Sequence, residues 1–256
     1  MMRKNNIKIA ALQETKFNKN SKIPNIPDFT LIRKDRETNS GGGLAFMVHE
    51  TVLYEPIPNL PKDAHIESQG IKVCGNSIIN IYIPPASSCA EGYIPNITPF
   101  LPSGDGYLLG DFNAHDQLWY SPIQDARGSL FNEIISDSDL GVLNTNAPTR
   151  LPSNNQPTSP DISLASLSLL PYTNWETNTR LGSDHLPIII TCATKIKLQP
   201  SDKRTFINFK KANWDKFKAE TEIEFSKLRA PSSVYKGEKA FRKIINSISK
   251  TCIPKG

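Results

Sequence analysis

The 256 residues suffice for one large two-layer domain and a short extra segment, and 38% hydrophobic with 21% charged residues is the composition of a soluble globular protein. The net charge of +5 suits a polyanionic partner without identifying one. The four cysteines form no Cys-x-x-Cys pair, which argues against a zinc site and a disulfide framework. The polar residues Met1–Asn6 and the lack of an apolar run near ~18 residues exclude a signal peptide and a membrane span, so we expect an intracellular protein.

Short β-branched runs bounded by Gly, Pro, Asn and Ser dominate the first two thirds of the chain and predict strands. The predicted strands are Ile7–Leu12, Gly43–Val48, Ile66–Val73, Ser77–Ile83, Tyr107–Leu109, Gly141–Asn144, Ile162–Ala165 and Pro187–Cys192. One helix is predicted among them, because Ser129–Leu140 places Leu130, Ile134 and Ile135 on one face. Many strands and few helices in mixed order predict an α/β sandwich rather than a doubly wound sheet.

Two loops rich in Pro, Ser and Asn, Pro84–Asp105 and Pro148–Pro160, interrupt the strands. After the last strand the composition changes. Lys195–Lys211 is basic and contains Pro200, which is typical of a linker.

Two amphipathic helices are predicted in the rest of the chain. Asn213 is predicted to cap a helix that runs from Trp214 to Leu228. A second helix, Lys236–Lys250, places on one side Phe241, Ile244, Ile245 and Ile248. We expect both apolar faces to be exposed, as the beginning of a further module.

Four polar clusters stand where a predicted strand begins or ends, and the first two follow apolar strands. Glu14 follows the first strand, where a carboxylate could bind Mg²⁺ or open a solvated loop. Asp111 and Asn113 follow the fifth strand and project to one side if it continues. Asp111 could orient a water and Asn113 donate to a phosphate oxygen; an ordinary Asp/Asn turn is the alternative.

The other two clusters precede strands. Asp161 opens a strand and could orient a histidine or simply cap the strand. Asp184 and His185 lie between a Gly-Ser turn and an apolar strand and point to opposite sides. A histidine there could act on a phosphate as acid, base or hydrogen-bond donor, and an adjacent aspartate could hold a metal or tune a water.

The order of these clusters carries more information than any one of them. Along the chain they read Gln-Glu-Thr, Ile-Tyr-Ile-Pro-Pro, Gly-Asp-Phe-Asn-Ala-His, Ser-Pro-Asp-Ile-Ser-Leu and Gly-Ser-Asp-His-Leu-Pro-Ile. This series resembles the endonuclease/exonuclease/phosphatase superfamily, and more narrowly the apurinic-endonuclease-like domain of jockey-type non-LTR retrotransposons. The resemblance covers roughly residues 7–193. The segment Phe209–Phe217 resembles the linker that leads into the reverse transcriptase of those elements.

The resemblance implies a four-layered α/β sandwich, two β-sheets flanked by helices, with the site at one end of the sheets. It implies that Glu14 holds a catalytic Mg²⁺ or Mn²⁺ and that Asp184 completes the metal and water arrangement.

The same resemblance implies catalytic roles for five further residues. Tyr82 would lie beside the scissile phosphate, although a tyrosine in an apolar strand is usually part of the core. Asp111 would position the attacking water, with Asn113 on the phosphate. Asp161 would orient His185, which would polarise the phosphate.

One departure concerns the start of the fold. Members of the superfamily begin with an earlier strand that ends in a metal-binding Asn, and here only six residues precede Ile7. We therefore expect an N-terminally truncated domain over residues 1–194 that lacks its first strand and exposes a strand edge. Residues 195–256 would lead toward a reverse transcriptase that the chain lacks.

The predicted function is a metal-dependent DNA endonuclease of a non-LTR retrotransposon, which nicks target DNA to leave a 3′-hydroxyl that primes reverse transcription. Two alternatives stay open: an inactive remnant of such an element, and a phosphoesterase of the same fold that acts on another phosphodiester. The expected partners are DNA and the reverse transcriptase domain of the full-length element, with no membrane. The expected location is the nucleus, or the cytoplasm while the element assembles.

Overall fold

The computed structural model describes residues 1–36, 41–193, 208–228, 230–231 and 233–254, in two compact units, Met1–Pro200 and Ser201–Gly256. The first unit contains eleven described strands and one α-helix. In chain order the strands are β1 Ile9–Leu12, β2 Phe29–Lys34, β3 Leu44–His49, β4 Glu55–Ile57, β5 Glu67–Val73, β6 Asn76–Tyr82, β7 Gly106–Asp111, β8 Leu140–Val142, β9 Asp161–Ser166, β10 Thr173–Thr177 and β11 Ile188–Cys192.

The largest sheet has six strands in the order β4-β5-β6-β7-β9-β8. Its central pair, β6 and β7, is parallel, and every other pair is antiparallel. Side chains alternate between the two faces of a strand, so each central strand supplies both layers of the core. The register sets Tyr82 beside Asp111, and Asp111 beside Asp161, at one end of the sheet.

One face of this sheet packs against helix α1, Ala126–Ser136. Ile81, Leu108, Ile162 and their neighbours bury this face together with Phe131 of α1. The helix begins three residues before the predicted Ser129 because the Asp125 side chain accepts from the Gly128 amide and caps it. It ends before the predicted Leu140, which instead begins β8.

The opposite face carries two smaller sheets. The first, in the order β1-β3-β2, buries Phe46 and Val48 over Ile71 and Val73. The second pairs β10 with β11 and packs Trp175 against Tyr107 and Ala165. Ile78 of β6 contacts both groups, so both small sheets belong to one layer. β1 is an edge strand, and all four of its residues are half-buried.

The predicted α/β sandwich with a helical C-terminal tail is confirmed. All eight predicted strands form, with bounds that differ by up to two residues at each end. Three strands were missed. These are β2, β4 and β10, in which charged or polar residues interrupt the apolar pattern.

The second unit is a pair of helices, α2 Trp214–Ser226 and α3 Val234–Cys252. The predicted cap is present, since the Asn213 side chain accepts from the Lys216 amide. The expectation that both apolar faces are exposed was wrong. Phe217 of α2 and Ile244 of α3 pack against the buried Ile248 of α3. The apolar faces of the two helices therefore cover each other.

Two further expectations have separate outcomes. Phe241, predicted on the apolar side of α3, is exposed and stacks on Phe225. Most of the predicted linker Lys195–Lys211, namely residues 195–207, lies outside the described residues. Within the described part of the chain, none of the helices is long and apolar enough to cross a bilayer.

Candidate active site

Three of the predicted residues meet at one end of the six-stranded sheet. Asp111 ends β7, Asp161 begins β9 directly beside it, and His185 lies just before β11. One ligand atom from each residue lies within 4.8 Å of those of the other two. The register of β7 with β9 therefore brings Asp111 and Asp161 together, and His185 joins them from the segment before β11 of the second small sheet.

Asp161 orients His185 at short range. His185 Nδ1 lies 2.9 and 3.0 Å from the two carboxylate oxygens of Asp161. The buried Thr149 donates from Oγ1 to the same carboxylate at 2.7 Å and so fixes its plane. Burial alone would lower the pKa of His185, but the hydrogen bond and charge of Asp161 raise it to about 9. The imidazole is consequently a cation at neutral pH.

Asp111 is a buried acid whose pKa is also raised, so it carries less negative charge than an exposed carboxylate would. Its residue is only 6% exposed, and burial together with the negative charge of Asp161 raises its pKa to about 7. The Asn113 amide donates to Asp111 Oδ1 at 3.0 Å, which orients the carboxylate. A carboxylate whose pKa lies near neutrality can both accept and release a proton.

Asn113 follows the strand in the left-handed region, with φ of +46°. This turn brings its side chain back toward Asp111, so the two residues meet through a turn and not through the continued strand on which the prediction depended. Asn113 Nδ2 donates to Ile83 O at 3.0 Å and to Asp111 Oδ2 at 3.1 Å. Both amide hydrogens are therefore in use, and donation to a phosphate requires one of these bonds to be exchanged.

Glu14 reaches the site through Tyr82. Tyr82 Oη donates to Glu14 Oε1 at 2.6 Å, and burial together with this bond raises the pKa of Tyr82. Glu14 has a φ of +51°, an uncommon backbone for a non-glycine residue. The turn is held by backbone bonds from Thr15 and Lys16 to the carbonyls of two glycines that precede β3. Glu14 thus borders the cluster without belonging to it.

Asp184 is not among the three residues whose ligand atoms converge. Arg150 Nε donates to Asp184 Oδ2 at 2.7 Å, and this bond lowers the pKa of Asp184. His185 is bonded to Asp161, whereas Asp184 is bonded to Arg150. The carboxylate faces a guanidinium, however, and not the position predicted for a metal.

Three contributors were missed by sequence reasoning: Thr149, Arg150 and Arg127. The first two lie in the loop Pro148–Pro160, whose composition gave no signal beyond irregular structure. Arg127, at the start of α1, is only 9% exposed and donates to Pro84 O at 2.8 Å and Asn113 O at 3.2 Å. It ties the loop after β6 to the loop after β7. A charged residue on a helix gives no sign of this in the sequence, because its partners are distant along the chain.

The donor set fits a hard divalent cation. Asp111 and Asp161 place two carboxylates side by side, and Glu14 adds a third beside Tyr82. Carboxylate oxygens are the ligands that Mg²⁺ prefers, usually few in number with waters completing the shell. The repulsion that raises the pKa of Asp111 would be relieved by such an ion.

Known sequences that are similar to this chain come from endonuclease and reverse-transcriptase proteins of mobile elements. Residues 76–189 match the model of the "Endonuclease-reverse transcriptase" family. The "Probable RNA-directed DNA polymerase from transposon BS" of Drosophila melanogaster is 30% identical over 173 residues, which cover 63% of this chain and 18% of that protein. The "RNA-directed DNA polymerase from mobile element jockey" of Drosophila funebris is 24% identical over 157 residues, 59% of this chain and 17% of that protein. The chain spans less than a quarter of the length of the curated relatives it matches.

Solved structures share the fold. The endonuclease domain of TRAS1, a telomere-specific non-LTR retrotransposon, aligns with a TM-score of 0.56 at 18% identity, covering 76% of this chain and 90% of that one. An AP endonuclease from Archaeoglobus fulgidus aligns with a TM-score of 0.56 at 15% identity, covering 75% and 91%. At these identities the match is one of architecture.

Proposed function

We propose that this chain, which belongs to the endonuclease/exonuclease/phosphatase superfamily and carries an endonuclease domain of the non-LTR retrotransposon type, cuts one strand of DNA. The product would be a 3′-hydroxyl from which a reverse transcriptase in the full-length element starts synthesis. The observation that carries the proposal is the meeting of Asp111, Asp161 and His185 within 4.8 Å at the strand ends.

In the proposed reaction a water oxygen bonds to phosphorus and the bond from phosphorus to the 3′ oxygen breaks. Asp111 takes the proton from the water, because its buried carboxylate is held in place by Asn113, and without a bound ion burial and the charge of Asp161 raise its pKa to about 7. The 3′ oxygen takes up a proton from solvent, which leaves a 3′-hydroxyl and a 5′-phosphate.

His185 stabilises the charge that develops on the phosphate. Its Nδ1 is committed to Asp161, and its pKa of about 9 keeps Nε2 protonated as a second donor. A donor of this kind acts on the transition state because negative charge grows on the phosphate oxygens there.

A divalent cation, Mg²⁺ or Mn²⁺, would supply charge neutralisation at the phosphate. Glu14 is the carboxylate that we propose holds it, with Tyr82 fixing its orientation through the 2.6 Å hydrogen bond. Asp184 would join only by leaving Arg150. DNA as substrate and the nucleus as location complete the proposal.

The test is nicking of a supercoiled plasmid by the full chain. We expect conversion to open circles that needs Mg²⁺ and stops with EDTA, and we expect a DNA polymerase to extend the nicks, which requires a 3′-hydroxyl. Glu14→Gln should raise the Mg²⁺ concentration for half-maximal nicking by about 10- to 100-fold. Glu133→Gln, at a helical position outside the site, is the matched control.

Two outcomes would contradict the proposal. A chain with a cooperative thermal transition but no EDTA-sensitive nicking would be an inactive remnant. Hydrolysis of phosphoinositide or sphingolipid phosphodiesters in preference to plasmid would keep the fold and change the substrate.

A further inference from the structure

The second unit carries an exposed pair of aromatic rings. Phe209 and Trp214 stack with ring centroids 6.3 Å apart and planes within 6° of parallel. Phe209 is 57% exposed and Trp214 is 50% exposed, although both rings are large and apolar. Such a pair offers flat ring faces to a ligand.

Phe217 and the end of α3 fix the position of this aromatic pair. Phe217 meets the Trp214 ring edge to face, with centroids 5.7 Å apart, and packs into the core between α2 and α3. Backbone bonds join Asn208 N to Pro254 O at 2.9 Å and Asn213 N to Cys252 O at 2.9 Å. The turn that carries the rings is therefore fixed to the end of α3, and little entropy would be lost when a ligand binds.

The segment that carries the two rings, residues 208–218, is basic, with four lysines and one acidic residue, Asp215. Lys210 and Lys211 directly follow Phe209, and Lys218 lies one helical turn after Trp214, on the same side of α2. All three lysines are exposed, and the ion pairs found among the described residues do not engage them. The surroundings of the rings thus favour an anionic ligand with flat groups.

We propose that Phe209, Trp214, Lys210, Lys211 and Lys218 form a binding platform for single-stranded nucleic acid. Bases stack on exposed aromatic faces regardless of sequence, and lysines follow the phosphates. A single strand has unpaired bases that can reach the rings, whereas a duplex buries its base faces. This platform shares no residue with the candidate active site of Asp111, Asp161 and His185, and its chemistry is binding and not catalysis.

Tryptophan fluorescence reports on the platform directly. Trp119 and Trp175 are 0% and 5% exposed, so Trp214 is the tryptophan that a ligand can reach. We expect oligo(dT) added to the full chain in EDTA to quench this emission, and duplex DNA of the same length to quench it far less. EDTA keeps the proposed endonuclease from cutting the probe.

Substitutions measure what each part contributes. Trp214→Ala or Phe209→Ala should raise the Kd for fluorescein-labelled oligo(dT) by roughly 5- to 150-fold, the value for one lost stacked base. Lys210→Gln with Lys211→Gln should lower the slope of log K against log salt by about 1.4, at ~0.7 per phosphate contact. Phe241→Ala, which removes an equally exposed aromatic from α3, should leave Kd unchanged.

Three results would overturn the proposal. Trp214 emission could stay constant as oligo(dT) binds, or Phe241→Ala could weaken binding as much as Trp214→Ala. Phosphatidylserine vesicles could also shift the emission where oligo(dT) does not, which would make the surface a membrane contact. Plasmid nicking is unaffected by these outcomes, so the two proposals fail independently.

Discussion

The two halves of the candidate site are built differently. Asp111 and Asp161 stand on buried strand ends of the six-stranded sheet, and the Asp161 carboxylate contacts both the half-buried His185 and the buried Thr149. Glu14 and Asp184 lie on the rim, one in a left-handed turn after an edge strand and the other paired with a half-exposed arginine. The buried half has strongly shifted pKa values.

The difference in burial between the two halves suits them to different functions, acid–base chemistry in the buried half and exchange of an ion or a substrate at the rim. Acid–base chemistry needs groups whose protonation is set by burial and by fixed neighbours. Exchange of an ion or of a substrate needs groups that can reach solvent. We therefore expect substitutions in the buried half to affect turnover most, and those at the rim to affect the metal requirement or nothing measurable.

The largest expected effect comes from Asp111→Asn. The substitution keeps the shape and removes the base, so the nicking rate should fall by about 10²- to 10⁴-fold. The melting temperature at about pH 8 should rise, because a buried carboxylate beside Asp161 no longer has to be charged. Asp137→Asn, at the exposed end of α1, should change neither quantity. A small loss of rate with a lower melting temperature would give Asp111 a structural role only.

The second effect tests the support of the buried half. Arg127→Met leaves the carbonyls of Pro84, Phe112 and Asn113 without this donor, which should cost about 1–3 kcal/mol of unfolding free energy. We expect nicking to fall by about tenfold or more, because Asn113 and the loop after β6 lose their common anchor. Arg127→Lys, which keeps one charged donor, should be intermediate. Arg242→Met removes an exposed arginine of α3 and serves as the control. Unchanged nicking in Arg127→Met would show that the loops need no anchor.

The buried half was also the half that the sequence predicted best. Apolar strands followed directly by Asp111 and Asn113, or preceded by Asp161, give a periodicity that fixes both the strand and the face of the polar residue. The alternation could not be seen in β2, where Arg33 and Lys34 interrupt it, and that strand was missed.

The rim depended on contacts that no local pattern encodes. Glu14 meets Tyr82 only because two sheets pack face to face, and Asp184 meets Arg150 across 34 positions of sequence. The apolar faces of α2 and α3 were predicted, but not that they pack on each other, because amphipathicity gives a direction without a partner.

The third prediction concerns pH and stability without metal. The folded protein raises the pKa of Asp111 from 3.8 to about 7 and that of His185 from 6.5 to about 9, so both groups favour the protonated state when folded. Their stabilisation is complete on the acidic side and is lost as pH rises through the folded values. In EDTA we expect the melting temperature to fall from about pH 5 to about pH 9, and Asp111→Asn to flatten the part below about pH 7. A melting temperature that rises over this range would contradict both pKa shifts.

The smallest expected effect concerns Asp184 at the rim. Its carboxylate can either pair with Arg150 or bind the metal, and it cannot do both in one position. Its pair with Arg150 is partly exposed and should be worth at most about 1 kcal/mol. If Asp184 serves Arg150, then Asp184→Asn and Arg150→Met should cause the same small loss of stability, and the double variant should add nothing further. The Mg²⁺ requirement would then be unchanged in all three. If Asp184 instead turns to the metal, Asp184→Asn alone should raise that requirement by about tenfold, while Arg150→Met should not. We expect the first result, because backbone bonds from Leu151 N to Asp184 O and from Leu186 N to Thr149 O hold the two segments side by side.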